Sequence, residues 1–234
     1  MISIIIPTLE EEANIERCLK SLKNQSFRGK YEILVIDGYS LDDTVRIARK
    51  YVKRVYFHPP KGPGHARNCG ANHAKGEILA FIDADCEADY DWLKLIFENF
   101  KDKELLGLGG VLKPRNPRLR DRIMFNLFSD WWVRVSSWFG VWQLYGNNCA
   151  YRKKAFQKIG GFNQKVSFWE DTELSMRVKK VGKLRIDGRL KVVTSTRRFR
   201  QMGYITLFKI NFKAFFSFMA GKKITTNYFQ EIKH

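Results

Sequence analysis

Four short apolar runs, each followed by a helical pattern or a ligand-bearing loop, constrain the fold of this chain more than any other feature of its 234 residues. Residues 2–7, 31–37, 52–57 and 78–82 are rich in Ile, Val, Phe and Tyr, as expected of strands buried on both faces. Between them, residues 10–24, 41–51 and 66–74 read as helices. In the first, Ala13, Ile15, Cys18, Leu19 and Leu22 share a face and acids fill the first turn. Gly76 supplies a C′ stop for the third. This β-α-β-α-β-α-β alternation predicts an α/β fold with a mainly parallel central sheet flanked by helices. The carboxyl ends of parallel strands lie on one edge, where open α/β sheets bind ligands.

Three of those ends are polar: Pro7-Thr8-Leu9-Glu10-Glu11, Asp37-Gly38 and Asp83-Ala84-Asp85. Alternation along an extended chain leans Asp83 and Asp85 the same way, and two hard oxygens there can seat a divalent cation that bridges substrate phosphates. A solvated pair of turn aspartates fits the same spacing. Asp37 can accept a hydrogen bond from a base or a ribose hydroxyl, or serve the turn before Gly38. Arg67, at the start of a helix, can reach a phosphate, pair with a strand-end acid, or lie on the surface. Farther on, Glu170-Asp171 opens a helix over 172–181, where carboxylates favour the helix dipole and a positioned Asp can also take a proton from an attacking hydroxyl.

The four cysteines, Cys18, Cys69, Cys86 and Cys149, are scattered and form no C-x-x-C pair, which argues against a zinc site or a disulfide framework and for a reducing cytosol. The first residues read as a strand and not as a signal peptide, and no uncharged stretch approaches the roughly 18–20 residues of a spanning helix. Charge divides the chain. Residues 1–110 hold 16 Lys+Arg against 17 Asp+Glu, whereas residues 111–234 hold 26 against 7. Such asymmetry points to an anionic partner for the second half, or to a basic solvated surface.

Several ordered motifs resemble a known family. Ser3-Ile4-Ile5-Ile6-Pro7-Thr8-Leu9-Glu10-Glu11-Glu12, the run from Glu32 to Thr44, Ala66-Arg67-Asn68 and Phe81-Ile82-Asp83-Ala84-Asp85 occur in sequence. Gly146-Asn147-Asn148-Cys149-Ala150-Tyr151-Arg152, Gly160-Gly161-Phe162 and Trp169-Glu170-Asp171 follow. Together, over about residues 2–190, they are similar to the family 2 glycosyltransferases, inverting nucleotide-sugar enzymes of the GT-A fold. The resemblance implies that Pro7, Thr8, Leu9, Glu11 and Asp37 hold the donor nucleoside, and that Asp83 and Asp85 hold its diphosphate with Mn or Mg. It further implies Arg67, Arg197 and Arg198 on the diphosphate, Asp171 beside Glu170 as catalytic base, and Asn147, Asn148 and Trp169 toward the acceptor. Leu9 stands where the family often has an aromatic residue and Glu10 where it often has Asn, which leaves the donor base open.

The implied organisation is a nucleotide-sugar half (1–110), an acceptor half of the same domain (111–195) and a basic, aromatic helical extension (196–234). Residues 113–122 form a basic loop before a segment carrying Trp131, Trp132, Trp138, Phe139 and Trp142. A last helix, Tyr204–Met219, carries Phe208, Phe212, Phe215, Phe216 and Phe218 with Lys209 and Lys213. Helices of this kind lie in a membrane interface or pack as core. The expected protein is a cytoplasmic transferase, peripheral on the inner face of the membrane, moving sugar to an anionic or lipid-linked acceptor, with no nucleic-acid partner. A sugar-nucleotide-forming nucleotidyltransferase would show a Gly-rich basic loop after the first strand, where this chain is acidic. A non-enzymatic RNA-binding protein would explain the charge and aromatics but not the strand-end acids.

Overall fold

A computed structural model describes residues 1–166, 168–197 and 202–219, without the side chains of 128, 218 and 219. Its strands form one eight-stranded sheet in the order β3-β2-β1-β4-β7-β6-β8-β5. The parallel part is β1 (Ile2–Thr8), β2 (Tyr31–Asp37), β3 (Val55–Phe57) and β4 (Ile78–Phe81), with β1 in register between β2 and β4. The antiparallel strand β7 (Cys149–Arg152) joins β4 to β6 (Leu105–Pro114). Strand β8 (Lys183–Thr194) runs parallel to β6, and the short β5 (Glu87–Ala88) pairs antiparallel to β8. Because β6 passes through residue 110, the neutral and cationic stretches share one sheet.

Both faces of the strands are buried, and this is why they read as continuous apolar runs. Ile2, Ile4 and Ile6 pack beneath α1 (Ile15–Lys23) and α4 (Trp92–Asn99) through Cys18, Leu19, Leu22, Trp92 and Ile96. On the other face, Ile5, Leu34 and Phe81 meet α3 (Pro63–His73), α7 (Lys153–Lys158) and α8 (Glu170–Lys179) through Ala71, Phe156, Leu174 and Val178. Each such side chain contributes about 1.5–3 kcal/mol by leaving water, so the strand order is fixed by the core. Helix α2 (Thr44–Tyr51) lies beside α1, while α5 (Leu119–Phe125) continues through a π-helical turn (Asn126–Trp131) into α6 (Trp132–Trp138). The last described helix is α9 (Tyr204–Met219).

Several boundaries differ from the sequence expectation. Helix α1 begins at Ile15 rather than at residue 10. The N–H groups of Glu10, Glu11 and Glu12 donate instead to Ser40 Oγ (2.9 Å), Thr44 Oγ1 (2.8 Å) and Asp42 Oδ2 (3.1 Å). Ala13 is consequently exposed. Helix α3 starts at Pro63, whose missing N–H costs nothing in a first turn, and it ends at His73. Gly76 is not its stop. A Cβ there would stand 2.7 Å from the Ser3 backbone nitrogen, so Gly76 serves close approach to β1. Among the described residues no helix is long and apolar enough to cross a membrane.

Candidate active site at the carboxyl edge of the sheet

The register that sets Thr8 opposite Asp37 makes one hydrogen-bonded unit of the first two strand ends. The fully buried Asp37 carboxylate accepts from Thr8 Oγ1 (2.8 Å), Ser40 N–H (2.8 Å) and Ser40 Oγ (2.7 Å). These three hydrogen bonds fix the turn after β2. Around it Pro7 is half-buried, Leu9 is half-exposed, and the exposed Tyr39 ring stacks 5.5 Å from Phe57. Glu10, Tyr39 and Trp169 all have positive φ (53°, 63° and 63°), so backbone strain collects in the loops of this edge.

At the end of β4 the two aspartates are half-buried. Arg67, on α3, is buried and donates from Nη2 to Asp83 Oδ1 at 2.7 Å and from Nη1 to Glu170 Oε1 at 3.1 Å. A Cβ on Gly146 would come within 2.8 Å of that Nη1, so only glycine leaves room for the guanidinium. Of the alternatives open for Arg67, the structure realises pairing with a strand-end acid. Asp85 meets Cys86 Sγ at 3.4 Å, and its carbonyl accepts from Arg115 Nη2 at 2.8 Å. Two carboxylates on one loop are a hard-oxygen donor set that fits Mg²⁺ or Mn²⁺. Among the described residues no group of three or more His, Cys, Asp or Glu could hold a metal ion by itself. A cation here would therefore complete its shell with substrate phosphates and water, as Mg²⁺ commonly does. Glu11 is near enough that Asp85 and Asp83 repel its charge; burial is the larger cause raising its pKa, and the Asn14 amide at 2.7 Å opposes it.

Glu170 and Asp171 open α8, two residues earlier than its sequence-read start. Asp171 accepts from Gly146 N–H (2.9 Å) and Thr172 N–H (2.7 Å), while Ser175 Oγ holds the Asp171 carbonyl (2.6 Å). Burial raises the pKa of both acids. Glu170 is pushed up to about 7, first by burial and then by the neighbouring Asp171 charge, against the pull of Arg67. A half-buried carboxylate pair with raised pKa values is suited to proton transfer near neutral pH.

The remaining expected residues separate. Asn147 is half-buried, with its amide 3.7 Å from Cys86 Sγ, between the aspartate loop and Gly146. Asn148, expected toward an acceptor, is instead a core tie. It is fully buried, accepts from Trp92 Nε1 (2.9 Å) and donates to the Val111 and Leu190 carbonyls (3.0 Å each). Trp169 is buried and donates from Nε1 to Asn211 Oδ1 at 2.9 Å. Arg197 is exposed, and its charge opposes the rise in the Glu11 pKa. Arg198 lies outside the described residues. Arg115 was legible in the sequence only as basic-loop charge. It pairs with Glu87 at 2.9 Å and lines, with Arg17, Glu87 and Asn116, a cleft of about 560 Å³ beside the aspartate loop.

A profile described as glycosyl transferase family 2 matches residues 3–160. The chain belongs to that family. It is 37% identical over 100 residues to the Haloferax volcanii "Glycosyltransferase AglE", covering 40% of this chain and 33% of that protein. It is 27% identical over 198 residues to the Bacillus subtilis "Probable glycosyltransferase YdaM", covering 77% and 47%. The chain thus spans about half or less of the length of these relatives. Among solved structures, Staphylococcus aureus TarS 1-349 in complex with UDP superposes with a TM-score of 0.65 at 22% identity, over 83% of this chain and 60% of that one. A mannosyltransferase from Pyrobaculum calidifontis, PcManGT, in complex with GDP-Man and Mn2+, gives 0.67 at 23%, over 82% and 56%. The fold is therefore that of the GT-A glycosyltransferases, as the sequence implied.

Proposed function

We propose that this family 2 chain transfers a sugar, with inversion, from a nucleoside-diphosphate donor to an acceptor hydroxyl or phosphate. One observation carries the reading. Arg67 ties Asp83, at the end of β4, to Glu170, at the start of α8, bringing two groups of acids with separate tasks onto one buried cation. The Thr8–Asp37 unit, with Pro7, Leu9 and Glu11, faces the nucleoside. Asp171, with Glu170, accepts the proton of the acceptor hydroxyl as its oxygen bonds to the anomeric carbon. The bond from that carbon to the diphosphate oxygen breaks, and its electron pair leaves with the nucleoside diphosphate. Asp83 and Asp85 would hold Mn²⁺ or Mg²⁺, which supplies charge neutralisation for that leaving group. TarS with UDP and PcManGT with GDP-Man and Mn2+ support a donor and a cation of these classes.

The acceptor enters past Asn147 and Trp169 in this reading and is lipid-linked or otherwise anionic, consistent with the basic second half. Contact with the inner, cytoplasmic face of a membrane is part of the proposal. Leu119, Ile123, Leu127 and Trp131 leave an exposed apolar stripe, and so do Ile205, Phe208, Phe212 and Phe216 on α9. Arg118, Arg120, Arg122, Lys209 and Lys213 lie among them, suited to anionic head groups. The test is release of nucleoside diphosphate from UDP- and GDP-sugars with Mn²⁺ or Mg²⁺. Metal-dependent release is the expected result; RNA binding as the one measurable property would overturn the reading.

A further inference from the structure

Trp169 stands immediately before the acid pair with φ of 63° and ψ of 27°, in the left-handed region. A large L-residue is strained in that conformation, so the surrounding structure must hold it. What holds it comes from α9. The Trp169 indole Nε1 donates to Asn211 Oδ1 at 2.9 Å, and Asn211 Nδ2 donates to the Leu207 carbonyl at 2.8 Å. The second bond fixes which end of the amide faces the indole. Phe168 and Trp169 also pack with Ala214, Ile210 and Phe215 in a small cluster separate from the two cores of the sheet. Phe215 in turn meets the Trp132 ring edge-on at 5.4 Å. The residue immediately before the first turn of α8 is thus fastened to a helix some forty residues away.

We propose that Asn211 is a positioning residue: through the Trp169 indole it holds the strained turn that aims Glu170 and Asp171 at the acceptor. The inference rests on the catalytic reading of that acid pair. Helix α9 then belongs to the catalytic apparatus and is not merely an appendage, because loss of one amide releases the turn without emptying any part of the sheet core.

The experiment compares the full chain with Asn211→Leu, Asn211→Asp, Trp169→Phe and Asp171→Asn. Turnover of UDP- and GDP-sugars is measured beside hydrogen exchange of the amides of residues 169–172. Asn211→Leu and Trp169→Phe are expected to lower kcat roughly tenfold or more with the donor KM unchanged, as misplacement of a reacting group does. The same amides exchange faster. Asn211→Asp, which keeps an acceptor for the indole N–H, restores most of kcat and the slow exchange. Unchanged exchange in Asn211→Leu, or an Asn211→Asp variant as impaired as Asn211→Leu, would overturn the assignment. Full turnover in Asp171→Asn would instead remove the base reading, while the exchange measurement still decides whether Asn211 holds the turn.

Discussion

The buried Asp37 and the half-buried Glu170–Asp171 pair, both on the carboxyl edge, are satisfied in opposite ways. Asp37 collects three donors from Thr8 and Ser40, all neutral. Glu170 and Asp171 sit side by side next to the buried Arg67, which bridges Glu170 to Asp83; burial raises both pKa values against that arginine, and for Glu170 the Asp171 charge adds to the rise. The first arrangement is shape held by hydrogen bonds. The second is charge held at a cost, and such a cost raises a carboxyl pKa toward neutral pH. The difference fits the proposed roles, recognition at the first two strand ends and proton transfer at α8.

Arg67→Met tests the second arrangement most severely. It leaves Asp83 and Glu170 without their buried cation, and thermal or denaturant unfolding should show a loss of about 3–5 kcal/mol. The sign of the pH effect follows. A carboxyl whose folded pKa is raised holds its proton in the native state after the unfolded chain has lost it. The raised Glu170 therefore costs stability as pH climbs from about 4.5 to about 7, and its cost is absent below that window; Asp171 acts in the same direction. Turnover in the wild type should rise as the pair ionises, with Glu170 doing so around pH 7. Without Arg67 the rise should move to higher pH; an unmoved rise would mean that the pair is not what titrates.

Asp37→Asn should act more gently, because an amide keeps one acceptor and turns an N–H toward a donor. A loss of roughly 1–3 kcal/mol of stability is expected, with weaker binding of UDP or GDP but an unshifted pH profile. A shifted profile would merge the two groups that the comparison separates. The smallest effect belongs to the outer faces of the helices. Phe212→Ala with Phe216→Ala should lower sedimentation with vesicles containing anionic lipid by severalfold and leave nucleotide binding intact. Unchanged sedimentation would remove the membrane from the account.

The parallel half of the sheet was legible because burial on both faces writes an apolar run straight into the sequence. The ends of its helices were not. Glu10, Glu11 and Glu12 look like a first helical turn, yet their N–H groups are taken by side chains some thirty residues on. The strands of the second half were harder still, since β6 carries three glycines and β8 alternates with charges along exposed stretches. Asn148 misled because a polar residue inside a motif suggests a ligand, whereas its amide is spent on Trp92, Val111 and Leu190. The Asn211–Trp169 bond had no local signal at all, being a contact between residues 42 apart on separate elements.

The division of labour on this edge is tested most directly by a crossed pair of variants. UDP or GDP binding in the presence of Mn²⁺ and turnover of the matching nucleotide sugar are measured in Asp85→Ala and in Asp171→Asn. The account predicts that Asp85→Ala loses the metal-dependent part of binding and, with it, turnover. Asp171→Asn should keep binding while turnover falls by roughly a hundredfold or more, the scale of a lost general base. Equal loss of binding and turnover in both variants would contradict it.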